Sequence, residues 1–314
     1  MNQQYMQQKK QFAIETNNLS FGFNKKHSIL KNINLKVERG SIYGFLGPNG
    51  AGKTTTIRLL SGLLPDPNNS VFLFNQNFLQ NRVQCLSKTG ALIEQPSLYE
   101  HLSGFDNLEI TRQLRKIPKE RINDVLQTVR LSEAAFKKVK AYSLGMKQRL
   151  GIALALLPEP ELLILDEPVN GLDPSGIMEM RELLQTINKK YNTTIFLSSH
   201  LISEVEKIVT HIGIINMGEM LFQGTINDLY NLKKNELKVR IKTDNPELAV
   251  TLLKASYSIV DHEDTLDIII QSTKEVNDII HLLINNNVKV YEAVTDSKNL
   301  EQIFLSMTQS YTVS

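Results

Sequence analysis

The most constraining feature of this chain is Gly47-Pro48-Asn49-Gly50-Ala51-Gly52-Lys53-Thr54, a glycine-rich turn set between two apolar segments. Before it, Ile42-Tyr43-Gly44-Phe45-Leu46 reads as a buried strand; after it, Thr55-Thr56-Ile57-Arg58-Leu59-Leu60 is apolar at helical spacing. A strand, a glycine-rich turn and a helix in that order are the context in which a phosphate loop is expected, against a glycine-rich turn that binds nothing. The glycines let the backbone curl until successive N–H groups point at one anion, and the helix start adds its positive end. Lys53 is then placed to bind the β- and γ-phosphates as a point charge, and the Thr54 hydroxyl to ligate Mg²⁺. The stretch from Gly47 to Thr54, with Thr55, is expected to hold a nucleoside triphosphate.

A second stretch supplies carboxylates. Leu162-Leu163-Ile164-Leu165 is a continuous apolar run, as in a strand covered on both faces of a parallel α/β sheet, and Asp166-Glu167-Pro168 follows at once. Ligands bind beyond the carboxyl ends of such strands. Buried paired carboxylates without a cation are costly, so Mg²⁺ is the natural occupant. Asp166 is expected to hold it, directly or through water, and Glu167 to polarise an attacking water. A helical pattern over Pro174–Tyr191 leads to a short strand at Thr194–Leu197, and His200 lies just past its end. His200 is either a γ-phosphate sensor or a satisfied structural histidine. Near the start, 12–19 and 29–37 alternate as half-buried strands. Phe23, in the turn between them, either stacks on an adenine ring or belongs to the core.

The rest of the chain organises around these elements. Residues 98–139 turn helical, with Leu, Ile, Val and Phe on one face, and read as an inserted subdomain whose stripe is core with part left for a partner. The polar segment 1–11 reads as a disordered lead, and the Lys-rich stretch Asn231–Glu236 as a domain boundary. Beyond it, alternating strand and helix patterns predict a small α+β appendage without a chemistry-bearing cluster. With 35 Lys and Arg against 33 Asp and Glu, bulk charge makes no case for nucleic acid as a partner. The single cysteine, Cys85, excludes an internal disulfide and is expected in the core. No apolar run approaches bilayer-spanning length, and the N-terminus lacks the apolar core of a signal peptide. A cytoplasmic chain is expected, with any membrane link made through another protein.

Over about Phe12 to Leu232 the chain resembles the nucleotide-binding subunit of an ATP-binding-cassette (ABC) transporter. The blocks that carry the resemblance stand in the family's order: Gly47–Thr54, Glu94-Gln95, Tyr142-Ser143-Leu144-Gly145-Met146-Lys147-Gln148-Arg149, Leu162–Glu167 with Gly171-Leu172-Asp173, and His200. The resemblance implies an α/β fold: a P-loop NTPase cassette over 12–232, with a mixed sheet core and a helical subdomain at about 98–157. A small α+β domain over 233–314 then completes the chain. It implies ATP and Mg²⁺ as ligands, and two cassettes, identical or paired, closing head to tail over ATP. Ser143 and Gly145 of one cassette then contact the γ-phosphate held by Lys53 of the other, since Ser143 precedes an expected helix over Gly145–Leu156. Asp173 is placed at the dimer interface and Phe23 in the position of the adenine-stacking aromatic. An integral-membrane permease would hold the pair on the inner face of the cell membrane.

This chain departs from the family's pattern in two places. Tyr142-Ser143-Leu144-Gly145-Met146 replaces the usual Leu-Ser-Gly-Gly-Gln, and Glu94 stands where a Gln is usual. Glu94 brings a carboxylate that accepts Mg²⁺ or water contacts and adds negative charge near the phosphates. These features resemble bacterial exporters that protect against peptide antibiotics, such as bacitracin-resistance and lantibiotic-immunity transporters. Other readings are a soluble cassette ATPase acting on ribosomes or DNA, and an ATP-switched adaptor. A single cassette without a sustained heptad run speaks against the first of these.

Overall fold

The apolar runs that flank the phosphate-binding motifs become neighbouring strands of one sheet. In the computed structural model, which describes residues 12–24, 28–232, 237–262, 265–296 and 300–309, that sheet has six strands. Their order is Glu219–Thr225, His211–Asn216, Ile42–Leu46, Thr194–Ser199, Leu162–Asp166 and Thr89–Leu92. All neighbours run parallel except the edge hairpin formed by the first two. Ile42–Leu46, Leu162–Asp166 and Thr194–Ser199 are buried at every position, as continuous apolar runs require of strands covered on both faces. The chain divides into two compact units, 1–226 and 227–314. The lead expected over 1–11 lies outside the described residues, as do 233–236 of the expected boundary stretch.

A second, antiparallel sheet orders Lys36–Glu38, Phe12–Thr16, Val71–Leu73 and Gln76–Asn77, and the pair Leu19–Phe21 and Leu30–Ile33 stands apart. The alternation over 29–37, expected as one strand, is thus broken into two strands of different sheets. Thr16 explains the break: its buried hydroxyl donates to the Ile33 carbonyl at 2.8 Å and accepts from the Leu35 N–H at 2.8 Å. That bond satisfies the backbone where the chain leaves one sheet for the other. One core of the unit lies between the two sheets. Phe196 belongs to it, with ring centroids 5.5 Å from Tyr43 and 5.4 Å from Phe45, and all three side chains are fully buried. The edge hairpin turns at Met217-Gly218, whose φ angles of 47° and 79° are those of a two-residue turn matched to strand twist. A β-carbon on Gly218 would lie 2.0 Å from the Ile29 carbonyl oxygen, so both the turn and the packing demand glycine there.

The helical block forms Gly104–Arg115, Glu120–Thr128 and Leu144–Leu156, with short 3-10 turns at Ser132–Ala134 and Val139–Ala141. Ser103 and Asp106 cap the first of these helices reciprocally. Arg121, almost fully buried, donates to the Leu156 and Leu157 carbonyls at 3.1 and 3.4 Å and lies over the Tyr191 ring. A cation thus closes the C-terminal end of Leu144–Leu156, where the helix dipole favours it. Cys85 is buried as expected, and burial pushes its thiol above the ordinary value, leaving little reactive thiolate. Among the described residues no helix is long and apolar enough to cross a membrane.

The second unit carries a four-stranded antiparallel sheet ordered Ile259–His262, Thr265–Ile270, Leu237–Thr243 and Val290–Asp296. Helices Pro246–Leu253 and Lys274–Asn285 alternate with the strands and cover one face. Their Ala249, Leu253, Ile279 and Leu283 share a core with Val239, Ile241, Leu266 and Ile268. Strand Ile259–His262 escapes the sequence pattern because it lies at the sheet edge with three exposed positions, which removes the apolar alternation. Across the sheet, the Arg240 guanidinium donates to Asp267 at 2.8 and 3.1 Å and holds its carboxyl below the usual range.

Candidate functional site

Strand register alone gathers the motifs. Leu46 stands opposite Ser199, and Ser198 opposite Asp166, so the ends of Ile42–Leu46, Thr194–Ser199 and Leu162–Asp166 reach one edge together. The residues that follow them are Gly47, His200 and Glu167. Far apart in sequence, they meet at the carboxyl ends of parallel strands, where such sheets bind ligands.

The loop from Gly47 curls into helix Lys53–Leu60. A β-carbon on Gly47 would lie 2.4 Å from the Ile215 carbonyl oxygen, and Gly52, at the helix N-cap, holds φ at 107°. Neither place accepts a side chain, which is the physical content of the glycine pattern. The Lys53 ammonium, buried at 6% exposure, donates to the Gly47 carbonyl at 2.9 Å and the Pro48 carbonyl at 3.3 Å. It also pairs with Glu167 Oε1 at 3.4 Å. The other oxygen of Glu167 accepts from the His200 backbone N–H at 3.3 Å and meets His200 Nδ1 at 2.8 Å. Lys53, Glu167 and His200 therefore form one connected cluster. Glu167 itself is left-handed, with φ at 50°, a region that costs a residue with a β-carbon about 1–2 kcal/mol.

Asp166 is buried, and its Oδ1 accepts from the Ser198 hydroxyl at 2.6 Å. A cavity of about 480 Å³ opens beside it, lined among others by Thr54, Glu94, Gln95, Asp166 and Glu167. Glu94 is left-handed as well, with φ at 61°, and its exposed carboxylate pairs with Arg58, one turn beyond Thr54 on the phosphate-loop helix. The Thr54 hydroxyl and the carboxylates of Glu94, Asp166 and Glu167 on this cavity are oxygen ligands, which suit a hard cation such as Mg²⁺. Among the described residues no group of three or more His, Cys, Asp or Glu forms a closed metal cage.

The remaining sequence-predicted residues lie elsewhere. Phe23 is 68% exposed, so it is not a core aromatic, and Phe21 braces it edge-on at 5.2 Å. Exposed Ser143 caps helix Leu144–Leu156, its hydroxyl accepting from the Met146 N–H at 3.3 Å. Neither Ser143 nor Gly145 lines the cavity that holds Thr54 and Asp166, although Leu144, Lys147 and Gln148 of the same helix do. Asp173, also exposed, caps helix Pro174–Tyr191 through the Gly176 N–H at 3.0 Å. Tyr142 is buried, and its phenol donates to the Ala134 carbonyl at 2.6 Å, anchoring this start of the helix in the helical subdomain. Sequence reasoning assigned no role to Ser198 or Arg58. Aligning the two apolar strands in parallel register would have set Ser198 beside Asp166; nothing local marks Arg58.

A family model described as "ABC transporter" matches residues 30–170. The chain is 39% identical over 304 residues to the bacitracin transport ATP-binding protein BcrA of Bacillus licheniformis, covering 96% of this chain and 98% of that relative. It is 38% identical over 221 residues to the lantibiotic transport ATP-binding protein SrtF of Streptococcus pyogenes, covering 70% of this chain and 94% of that relative. Among solved structures, cbiO1 of Clostridium perfringens, described as part of the ABC transporter complex cbiONQ, is similar with a TM-score of 0.66 and 25% identity. The likeness covers 71% of this chain and 92% of that one.

Proposed function

Since the chain belongs to the ABC transporter family, as an ATP-binding and ATP-hydrolysing subunit, we propose that it powers a bacterial exporter of peptide antibiotics through a separate integral-membrane permease. In this reading the subunit is cytoplasmic and sits on the inner face of the membrane, and the exporter confers resistance or immunity. Two cassettes close head to tail over ATP. One observation carries the pairing. A single copy presents a triphosphate cradle around Lys53, while the exposed Ser143 that caps helix Leu144–Leu156, and Gly145 after it, stay outside the cavity beside that cradle, which the same helix lines with Leu144, Lys147 and Gln148. A helix N-terminus with a hydroxyl is an anion site, and the γ-phosphate held by a second copy is the anion that fits it.

Within each site, the N–H groups of Gly47–Thr55 and the Lys53 ammonium bind the phosphates, and exposed Phe23 stacks on the adenine. Thr54 and Asp166 hold Mg²⁺, with Glu94 on the same cavity toward the ion or its waters. When bound, Mg²⁺ neutralises charge developing on the phosphate oxygens. Glu167 accepts a proton from the attacking water, and His200, bonded to the same carboxylate, orients it toward the γ-phosphate. ATP joins the cassettes and hydrolysis releases them, giving the permease two states to follow. The homologies to bacitracin and lantibiotic transport proteins support the cargo class.

Purification of the tagged chain from detergent-solubilised membranes is expected to bring an integral-membrane chain with it in stoichiometric amount. Recovery alone, or with ribosomes, would favour the soluble-ATPase reading instead. Glu94→Gln neutralises the partner of Arg58 and removes one negative charge beside the phosphates. It is expected to keep nucleotide binding while changing the ratio of hydrolysis to transport. Unchanged hydrolysis and transport in that variant, assayed in reconstituted vesicles, would remove Glu94 from the site.

A further inference from the structure

Ser198 is fully buried at the end of strand Thr194–Ser199, and its register opposite Asp166 puts the two side chains on the same face of the sheet. Its hydroxyl donates to Asp166 Oδ1 at 2.6 Å and accepts from the Glu167 backbone N–H at 2.9 Å. We propose that Ser198 is a positioning residue for ATP hydrolysis, setting the Asp166 carboxylate toward the divalent ion and the Glu167 backbone toward the water. This inference rests on the roles proposed for Asp166 and Glu167.

A serine hydroxyl carries one proton, so donation to Asp166 fixes the rotor and leaves the lone pairs to receive the Glu167 N–H. Among the described residues Ser198 is the hydrogen-bond partner of the Asp166 side chain, and it engages only Oδ1. Oδ2 stays available to a ligand. The O–H···O⁻ bond is of the short, charge-assisted kind, and Asp166 is only 4% exposed. On its other side, Ser198 holds the N–H of a residue whose φ of 50° is sparsely populated for any side chain larger than glycine's. That backbone turn is what brings the Glu167 carboxylate to Lys53 and His200. One hydroxyl therefore orients both carboxylate residues, and neighbours that orient metal ligands typically change metal affinity or activity by about 10–100-fold when removed.

Ser198→Ala tests this with Mn²⁺ as the probe, its affinity measured by electron paramagnetic resonance in the presence of ATP. ATP affinity without a divalent ion, measured with a fluorescent analogue, reports the intact phosphate loop and counts the folded sites. The expected result is wild-type ATP affinity without metal, with Mn²⁺ affinity and kcat each reduced about 10–100-fold. KM for ATP at saturating metal stays unchanged. Wild-type Mn²⁺ affinity and kcat would overturn the proposal. So would metal-free ATP affinity falling in step with them, since that marks a role in the fold alone. Asp166→Asn, run alongside, separates the two levels. If Asp166→Asn left Mn²⁺ affinity intact, the metal-holding role of Asp166 would fall first, and the positioning role of Ser198 with it.

Discussion

Glu167→Gln is expected to lower steady-state ATP hydrolysis by about 10²–10⁴-fold, the range that a positioned general base supplies. The substitution keeps the shape of the side chain and its reach to His200 and Lys53, but removes the charge that draws a proton from water. Nucleotide affinity is expected to stay at or above that of the wild type. The carboxylate now lies 3.4 Å from the Lys53 ammonium and shares that cation with any phosphate, so its neutral replacement leaves the lysine to the nucleotide alone. Binding without hydrolysis should hold two copies together. The variant with ATP and Mg²⁺ should therefore elute as a dimer in size-exclusion chromatography, while the wild type returns to monomer as phosphate is released. Near-wild-type phosphate release would assign the base elsewhere. A variant that stays monomeric at every ATP concentration would remove the head-to-tail pairing.

Phe196→Ala is expected to destabilise the cassette unit by about 3–5 kcal/mol, the range for deleting a buried aromatic ring. The ring is fully buried between Tyr43 and Phe45, its centroid 5.5 and 5.4 Å from theirs. Its loss leaves a cavity that the paired strands on both sides hold open, so relaxation recovers little. Urea unfolding followed by circular dichroism should show a lower midpoint with the slope little changed. Folded molecules of this variant should also bind ATP less firmly, because the strand bearing Phe196 leads directly into Ser198 and His200. A midpoint equal to that of the wild type would mean the sheet faces repack around the gap.

Much of the site is legible because phosphate chemistry needs it locally. Gly47 to Thr54 must be contiguous, since one turn has to curl around one anion, and Asp166-Glu167 must follow a buried strand at once. Boundaries were less legible where side chains rather than pattern end an element. The segment 29–37 alternates throughout, yet Thr16, from another strand, supplies the hydroxyl that lets the chain change sheets after Ile33. Phe23 could not be placed from its surroundings in the sequence, because a turn aromatic packs inward or outward according to neighbours that only the fold brings near.

What the sequence by itself determined is the content of each motif: the glycines, the lysine, the carboxylates and the apolar strands that carry them. Those depend on backbone conformation and burial over a few residues, and both leave a local imprint. The tertiary structure alone decided which residues meet. Parallel register sets Ser198 against Asp166 and brings Glu167 between Lys53 and His200, and the placing of helix Lys53–Leu60 joins Arg58 to Glu94. Contacts of this kind come from the pairing of distant strands and the packing of one helix against another loop, and no periodicity within a single segment encodes them.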